Sequence, residues 1–145
     1  MLFRSNVDRV NVAGVLWPFG YGLSYTTFEY GDLKIQPESQ STNGNIIVNF
    51  KLTNTGARAG DEISQIYIHQ EVSSVTTWEK RLCGFDRLHL KPRESKVMTM
   101  SIAPECLAIW NGEMKRVVEP GKFKVMIGAS SQNIRLNGEF EITNQ

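Results

Sequence analysis

The sequence predicts an all-β fold, a two-sheet antiparallel sandwich of about seven strands. Three observations predict it. Apolar and polar residues alternate with period two in short runs from about Phe28 onward. Clusters of Gly, Pro, Asn and Asp separate those runs at regular spacing. No helical pattern is long enough to serve as a βαβ crossover. The 145 residues are 41% hydrophobic and 21% charged, which suits one domain with a buried core and is too little charge for a disordered chain.

The clearest strand carries Ile46, Val48, Phe50 and Leu52 on one face, with Asn49, Lys51 and Thr53 opposite. Asn54 to Asp61 follows, where Gly56 and Gly60 supply the conformational freedom of a tight reversal and imply a hairpin-like return. The next strand, Glu62 to Gln70, sets Ile66 and Ile68 on one face and Gln65, Tyr67 and His69 on the other. A polar stretch, Glu71 to Thr77, leads to the strand Lys80 to Leu90, in which Gly84 marks a bulge or a sheet-switching bend.

Lys91-Pro92-Arg93-Glu94 then turns the chain. Met98, Met100 and Ile102 alternate with Val97, Thr99 and Ser101, and Pro104 to Leu107 is expected to form a single helical turn, since Pro is accepted at a first helical position. Phe123, Val125 and Ile127 make another half-buried strand before Ala129-Ser130-Ser131. Ile134, Leu136, Phe140 and Ile142, alternating with Arg135, Asn137, Glu139 and Glu141, make the last.

Charge and motif searches exclude several function classes. Sixteen Lys and Arg against fifteen Asp and Glu leave a net charge of +1, so no field draws the chain to nucleic acid or anionic lipid, and neither is expected as a partner. No apolar run could span a bilayer, and polar residues interrupt the start too early for a signal peptide, so the chain is expected to stay where it is made. Cys83 and Cys106 are too few for a disulfide scaffold and fit no zinc or redox spacing; two unbridged, buried thiols are expected. Asp61, Glu62, Asp86 and Glu94 sit in or beside turns, where solvated charge is the ordinary state. His69 and His89 have no Cys, Asp or Glu at ligand spacing on their own strands, so no metal site is expected, and no cofactor is implied. Gly20 and Gly22 begin no phosphate loop, because no helix pattern follows them; they serve a turn.

The segment Trp17-Pro18-Phe19-Gly20-Tyr21-Gly22-Leu23-Ser24-Tyr25-Thr26-Thr27-Phe28 resembles the Pro-Phe-Gly-x-Gly-Leu-Ser-Tyr-Thr-x-Phe stretch that leads into the last domain of family 3 glycoside hydrolases, such as β-glucosidases and β-xylosidases. The resemblance continues through Leu52 to Gly56, Ala59 to Glu62, Gln65 to Tyr67, Leu82 to Phe85, Leu90 to Pro92, Glu119 to Gly121 and Ile127 to Ser131, covering about Leu16 to Ile142. It departs from the family at Thr77-Trp78-Glu79, in place of a Pro-containing stretch, and at Arg93, in place of a favoured Gly. Residues 1–15 do not resemble the family's preceding segment.

The resemblance implies an immunoglobulin or fibronectin type III-like sandwich over 28–145, an interdomain lead-in over 16–27, and a linker or added start over 1–15. It implies a non-catalytic C-terminal accessory domain of a glycoside hydrolase, with a β-glucosidase as the expected parent, periplasmic or secreted. In the family the nucleophilic Asp and the acid/base Glu lie in upstream domains. Retaining glycoside hydrolysis needs two carboxylates about 5 Å apart around a sugar-sized cleft, which short sandwich strands do not supply. The implied partners are those upstream catalytic domains. The docking candidates are Trp17, Phe19, Tyr21, Tyr25 and Trp78, for which core packing is the competing role and sugar stacking a weaker one. An independent carbohydrate-binding or cell-surface module is the alternative, disfavoured because outward strand positions are mainly Lys, Asn, Thr, Arg and Glu.

Overall fold

A computed structural model describes residues 16–144, and the expectation for residues 1–15 lies outside the described residues. The elements in order are β1 (Phe28–Gln36), β2 (Ser39–Ser41), β3 (Ile46–Asn54), β4 (Gly60–Gln70), β5 (Arg81–Leu90), β6 (Ser95–Ile102), the helical turn α1 (Pro104–Leu107), β7 (Ile109–Trp110), β8 (Arg116–Val117), β9 (Gly121–Gly128) and β10 (Ile134–Thr143). β1, β3, β4, β5, β6, β9 and β10 each run eight residues or more; all but β1 are strands that the alternation assigns, and β1 lies where the alternation begins. β2, β7 and β8 have only two or three residues, too few for a periodic signal.

The strands form a three-stranded sheet, β1-β3-β6, and a five-stranded sheet, β2-β10-β9-β4-β5, with β7 and β8 as a separate small hairpin. Every long-strand pairing is antiparallel; β2 alone runs parallel to its neighbour β10. β1 approaches β10 and β6 approaches β5, so the two sheets meet along both edges.

Between the sheets lies one core. The three-stranded sheet contributes Ile46, Val48, Phe50, Leu52, Met98, Met100 and Ile102; the five-stranded sheet contributes Ile66, Ile68, Phe123, Val125, Ile127, Phe140 and Ile142. Burial of each such side chain contributes about 1.5–3 kcal/mol, which fixes the register, since a one-residue slip would turn the whole set to solvent. Tyr30 stacks on Phe50 with ring centroids 5.8 Å apart, and Phe123 stacks on Phe140 at 5.3 Å.

Gly84 does mark a bulge. Gly84 pairs with Ile66 and Leu82 with the adjacent Tyr67, which leaves Cys83 as the extra residue of β5. The Lys91–Glu94 turn closes with the Glu94 N–H donating to the Lys91 carbonyl at 3.1 Å, and it holds Arg93 at φ 63°.

The two cysteines correct the expectation of free thiols: Cys83 and Cys106 are disulfide-bonded, with Cα atoms 5.7 Å apart. The physical reason is the path of the chain. β6 packs beside β5, so α1, which follows β6 directly, returns to the start of β5, and Cys106 reaches the bulge beside the Leu82 carbonyl. The Cα separation lies in the normal range for a disulfide.

Candidate functional site

The lead-in before β1 runs against the outward face of β4 and is fixed there by its backbone. Pro18 to Tyr21 forms a turn in which the Tyr21 N–H donates to the Pro18 carbonyl at 3.0 Å and Gly20 takes φ 76°. Only glycine suits this point on two counts, because the conformation is left-handed and an added Cβ would sit 2.0 Å from Gln65 Oε1. Gln65 Nε2 donates to the carbonyls of Gly20, at 2.9 Å, and Ala129, at 3.0 Å, while its Oε1 accepts from Tyr67 Oη. The Ser131 N–H donates to the Phe19 carbonyl at 2.9 Å.

Further along, Ser24 Oγ donates to the Asp61 carbonyl, Thr26 Oγ1 donates to Asn54 Oδ1, and the Thr55 N–H donates to the Thr27 carbonyl. Buried Asn54 links this end to the sandwich through Nδ2, which donates to the Arg58 and Leu90 carbonyls. The expected hairpin-like return at Gly56 and Gly60 is not what forms: neither glycine takes a positive φ, and the segment crosses from β3 in one sheet to β4 in the other, so the glycines are needed here for room. A Cβ on Gly56 would meet Thr26 Oγ1 at 2.0 Å, and one on Gly60 would meet Thr26 Cγ2 at 2.7 Å.

This arrangement explains a difference from the sequence reading. Gln65 and Tyr67 do point away from the core, as the alternation requires, yet both are buried, because the lead-in covers them. Phe19 meets Tyr67 edge-on at 6.5 Å. β4 is thus covered on both faces over Gln65 to Ile68.

The lead-in side chains are treated differently from its backbone. Trp17 is 58% exposed, Phe19 60%, Tyr21 44% and Tyr25 90%, with Trp17 and Tyr21 tilted together at 4.8 Å. Leu23 is also exposed, as are Ile63 of β4, opposite Arg87, and Phe85 of β5, opposite Gln65, which stand diagonally across the ladder. Phe85, Ile63 and Val97 are outward apolar residues that the reading of outward positions as mainly polar does not include. A polar rim borders the patch, where Asp61 accepts from Arg87 and lies 2.7 Å from His89 Nδ1 across the β4–β5 ladder. Arg87 first, then His89, holds the Asp61 carboxyl below its usual range.

Trp78 lies elsewhere. It neighbours Ile68 and Gln70, which point inward from β4, together with Leu107 and Ile109, so it caps the end of the sandwich and not the face that carries the lead-in. Arg81 stacks over its ring, with the guanidinium carbon 5.4 Å from the centroid.

The carboxylates considered from sequence are all engaged locally. Asp86 accepts from the Arg87 N–H at 2.8 Å and Glu94 from the Lys91 N–H at 2.8 Å. Glu62 is not solvated: it is buried on the inner side, accepts from Tyr30 Oη at 2.8 Å, and burial raises its carboxyl above the usual range. Among the described residues no group of three or more His, Cys, Asp or Glu is placed to hold a metal ion.

Residues 62–131 match the sequence model of the fibronectin type III-like domain. The chain is 46% identical over 127 residues to a β-glucosidase of Bacteroides ovatus, an overlap of 87% of this chain and 17% of that protein. It is 45% identical over 117 residues to a β-xylosidase of Formosa agariphila, covering 81% of this chain and 16% of the relative. Among solved structures, β-glucosidase 3B of Thermotoga neapolitana, in complex with glucose, superposes with a TM-score of 0.79 at 41% identity over 88% of this chain and 17% of that one. The chain therefore spans about one sixth of the length of the proteins it matches.

Proposed function

Because the chain is a fibronectin type III-like domain of the kind carried by family 3 β-glucosidases and β-xylosidases, we propose that it acts as their C-terminal accessory domain, without chemistry of its own. Its role is to pack on the catalytic domains of a β-glucosidase-type parent, periplasmic or secreted, and so to stabilise and shape them.

The observation that carries this reading is the lead-in. A dozen residues are fixed to the sandwich by hydrogen bonds with Gln65, Asn54, Asp61 and Ser131, yet Trp17, Phe19, Tyr21 and Tyr25 present their rings outward. Ordering exposed aromatics in this way gives the folded domain little by itself. It prepares a rigid apolar surface at the point where the chain would enter from an upstream domain, and aromatic residues are enriched in such interfaces. The local engagement of Asp61, Glu62, Asp86 and Glu94 supports the absence of catalysis, since none of the four is left as a paired acid and nucleophile.

The test is an assay of the chain alone and of the same chain grafted in place of the matching region of the Bacteroides ovatus β-glucosidase. The isolated chain should leave aryl β-glucosides and β-xylosides at the buffer rate, and the graft should restore folding and turnover to a truncated relative. Turnover by the isolated chain that disappears on changing one of its own carboxylates would overturn the proposal.

A further inference from the structure

A second surface, independent of the lead-in, has a chemistry of its own. Residues 109–117 form the β7–β8 hairpin, in which Trp110 pairs directly with Arg116. This hairpin and the loop before β5 enclose a groove of about 350 Å³, at the small end of the range for small-ligand sites. Trp78, Arg81, Trp110 and Arg116 line it, with Thr76 and Thr77 on one wall. Trp78 is 65% exposed and Trp110 62%, although an exposed indole has an unfavourable amount of apolar area in water.

Each indole has its own guanidinium: Arg81 lies over Trp78, and Arg116 stands opposite Trp110 across the hairpin. Both arginines are held in place by backbone. Arg81 Nη1 donates to the Ala108 carbonyl and Arg116 Nη2 to the Glu105 carbonyl, each at 2.8 Å, which orients the groups without neutralising them. Among the described residues that line the groove, none is charged apart from these two arginines. Burial first, then the nearby Arg116 charge, disfavours the charged form of Arg81, so an anion in the groove would relieve the second of these.

We propose that this groove binds an acidic saccharide, one pyranose lying on an indole face and its carboxylate received by Arg81 and Arg116. The pairing of residue types selects that class. Flat indoles accept the C–H face of a sugar ring, threonine hydroxyls meet its hydroxyls, and guanidinium groups receive a carboxylate through two parallel hydrogen bonds. A neutral glycan would leave two like charges uncompensated, and a bare carboxylate would leave the indoles uncovered.

The experiment is a titration of the whole chain with trigalacturonate, cellotriose and sodium acetate, followed by the indole N–H resonances of the tryptophans. Trigalacturonate should shift Trp78 and Trp110 saturably while leaving Trp17, and cellotriose and acetate at matched concentration should shift neither. Arg116→Gln and Trp110→Ala, both at exposed positions of the hairpin, should each weaken binding at least tenfold with the thermal melt unchanged. The proposal is overturned if trigalacturonate moves neither indole, if cellotriose or acetate moves both equally, or if Arg116→Gln binds as tightly as the parent chain. Docking through the lead-in makes no demand on any of these outcomes.

Discussion

Replacing both Cys83 and Cys106 by Ser would remove the one covalent tie between β5 and α1. The two residues are 23 apart, so the bridge closes a loop that contains most of β5, all of β6 and the start of α1. Loop-closure entropy for that length comes to about 3.4 kcal/mol at 25 °C, against a typical domain stability of about 5–15 kcal/mol. Urea melts of the oxidised chain, the chain in dithiothreitol and the double Ser variant should show the last two alike, each about 3 kcal/mol less stable than the first. Dithiothreitol should leave the double variant unmoved. Thiol titration of unreduced, denatured protein should find no free group. Two free thiols, or a midpoint unaffected by reduction, would refute the bridge and the chain path that brings α1 onto β5.

Three other outcomes follow from single residues. Arg93 occupies a left-handed position after Pro92, so Arg93→Gly should stabilise the domain by about 0.5–1 kcal/mol, visible as a rise of roughly 2–3 °C in Tm, the relief of strain exceeding the entropic cost of glycine. Gln65→Leu removes one hydrogen bond to the lead-in, at Gly20, and one to the Ala129 carbonyl, and should cost about 2 kcal/mol in urea melts, with earlier proteolysis before Phe28. Glu62 has its carboxyl raised by burial, so the folded state binds its proton more tightly than the unfolded state, and its contribution to stability falls as pH rises from about 4.5 through the raised value. Glu62→Gln should therefore gain on the parent chain between pH 4 and pH 7 in paired melts; a constant difference would remove burial as the cause.

The core was legible because alternation reports one thing, which face of a strand is covered by the opposite sheet. Ile46 to Leu52 and Met98 to Ile102 have a single covered face, and their alternation translates directly into burial. Gln65 and Tyr67 are covered by a segment that is itself not a strand, so nothing periodic announces their burial, and the anchor of the lead-in is a glutamine that alternation assigns to solvent. The disulfide was illegible for a similar reason. A spacing of 23 residues says nothing about the distance between a bulge and a helical turn that meet only after β6 has packed beside β5. Asp61 and His89 are ladder partners, a pairing that exists only in the register between strands and not along either one. Trp110 and Arg116 meet in a hairpin whose strands are two residues long, below the length at which a period can be read.

The glycines on the two sides of the lead-in contact show the complementary case. Gly20, Gly56 and Gly60 read from sequence as turn residues, and Gly20 is one. In space they also clear room for Gln65 and Thr26, so the motifs that resemble the family in separate parts of the chain are two sides of one junction.

Whether this junction prepares an interdomain seam can be read from a paired melt of Trp17→Ala/Tyr25→Ala. In the isolated chain both rings are largely exposed, so the double variant should lose about 1 kcal/mol or less. In the chain grafted onto the Bacteroides ovatus catalytic domains, where the proposed seam would bury the rings, it should lose a further ~2–4 kcal/mol and release the graft from its partner at lower denaturant. A large loss in the isolated chain, or a graft as stable with the variant as without it, would contradict the account.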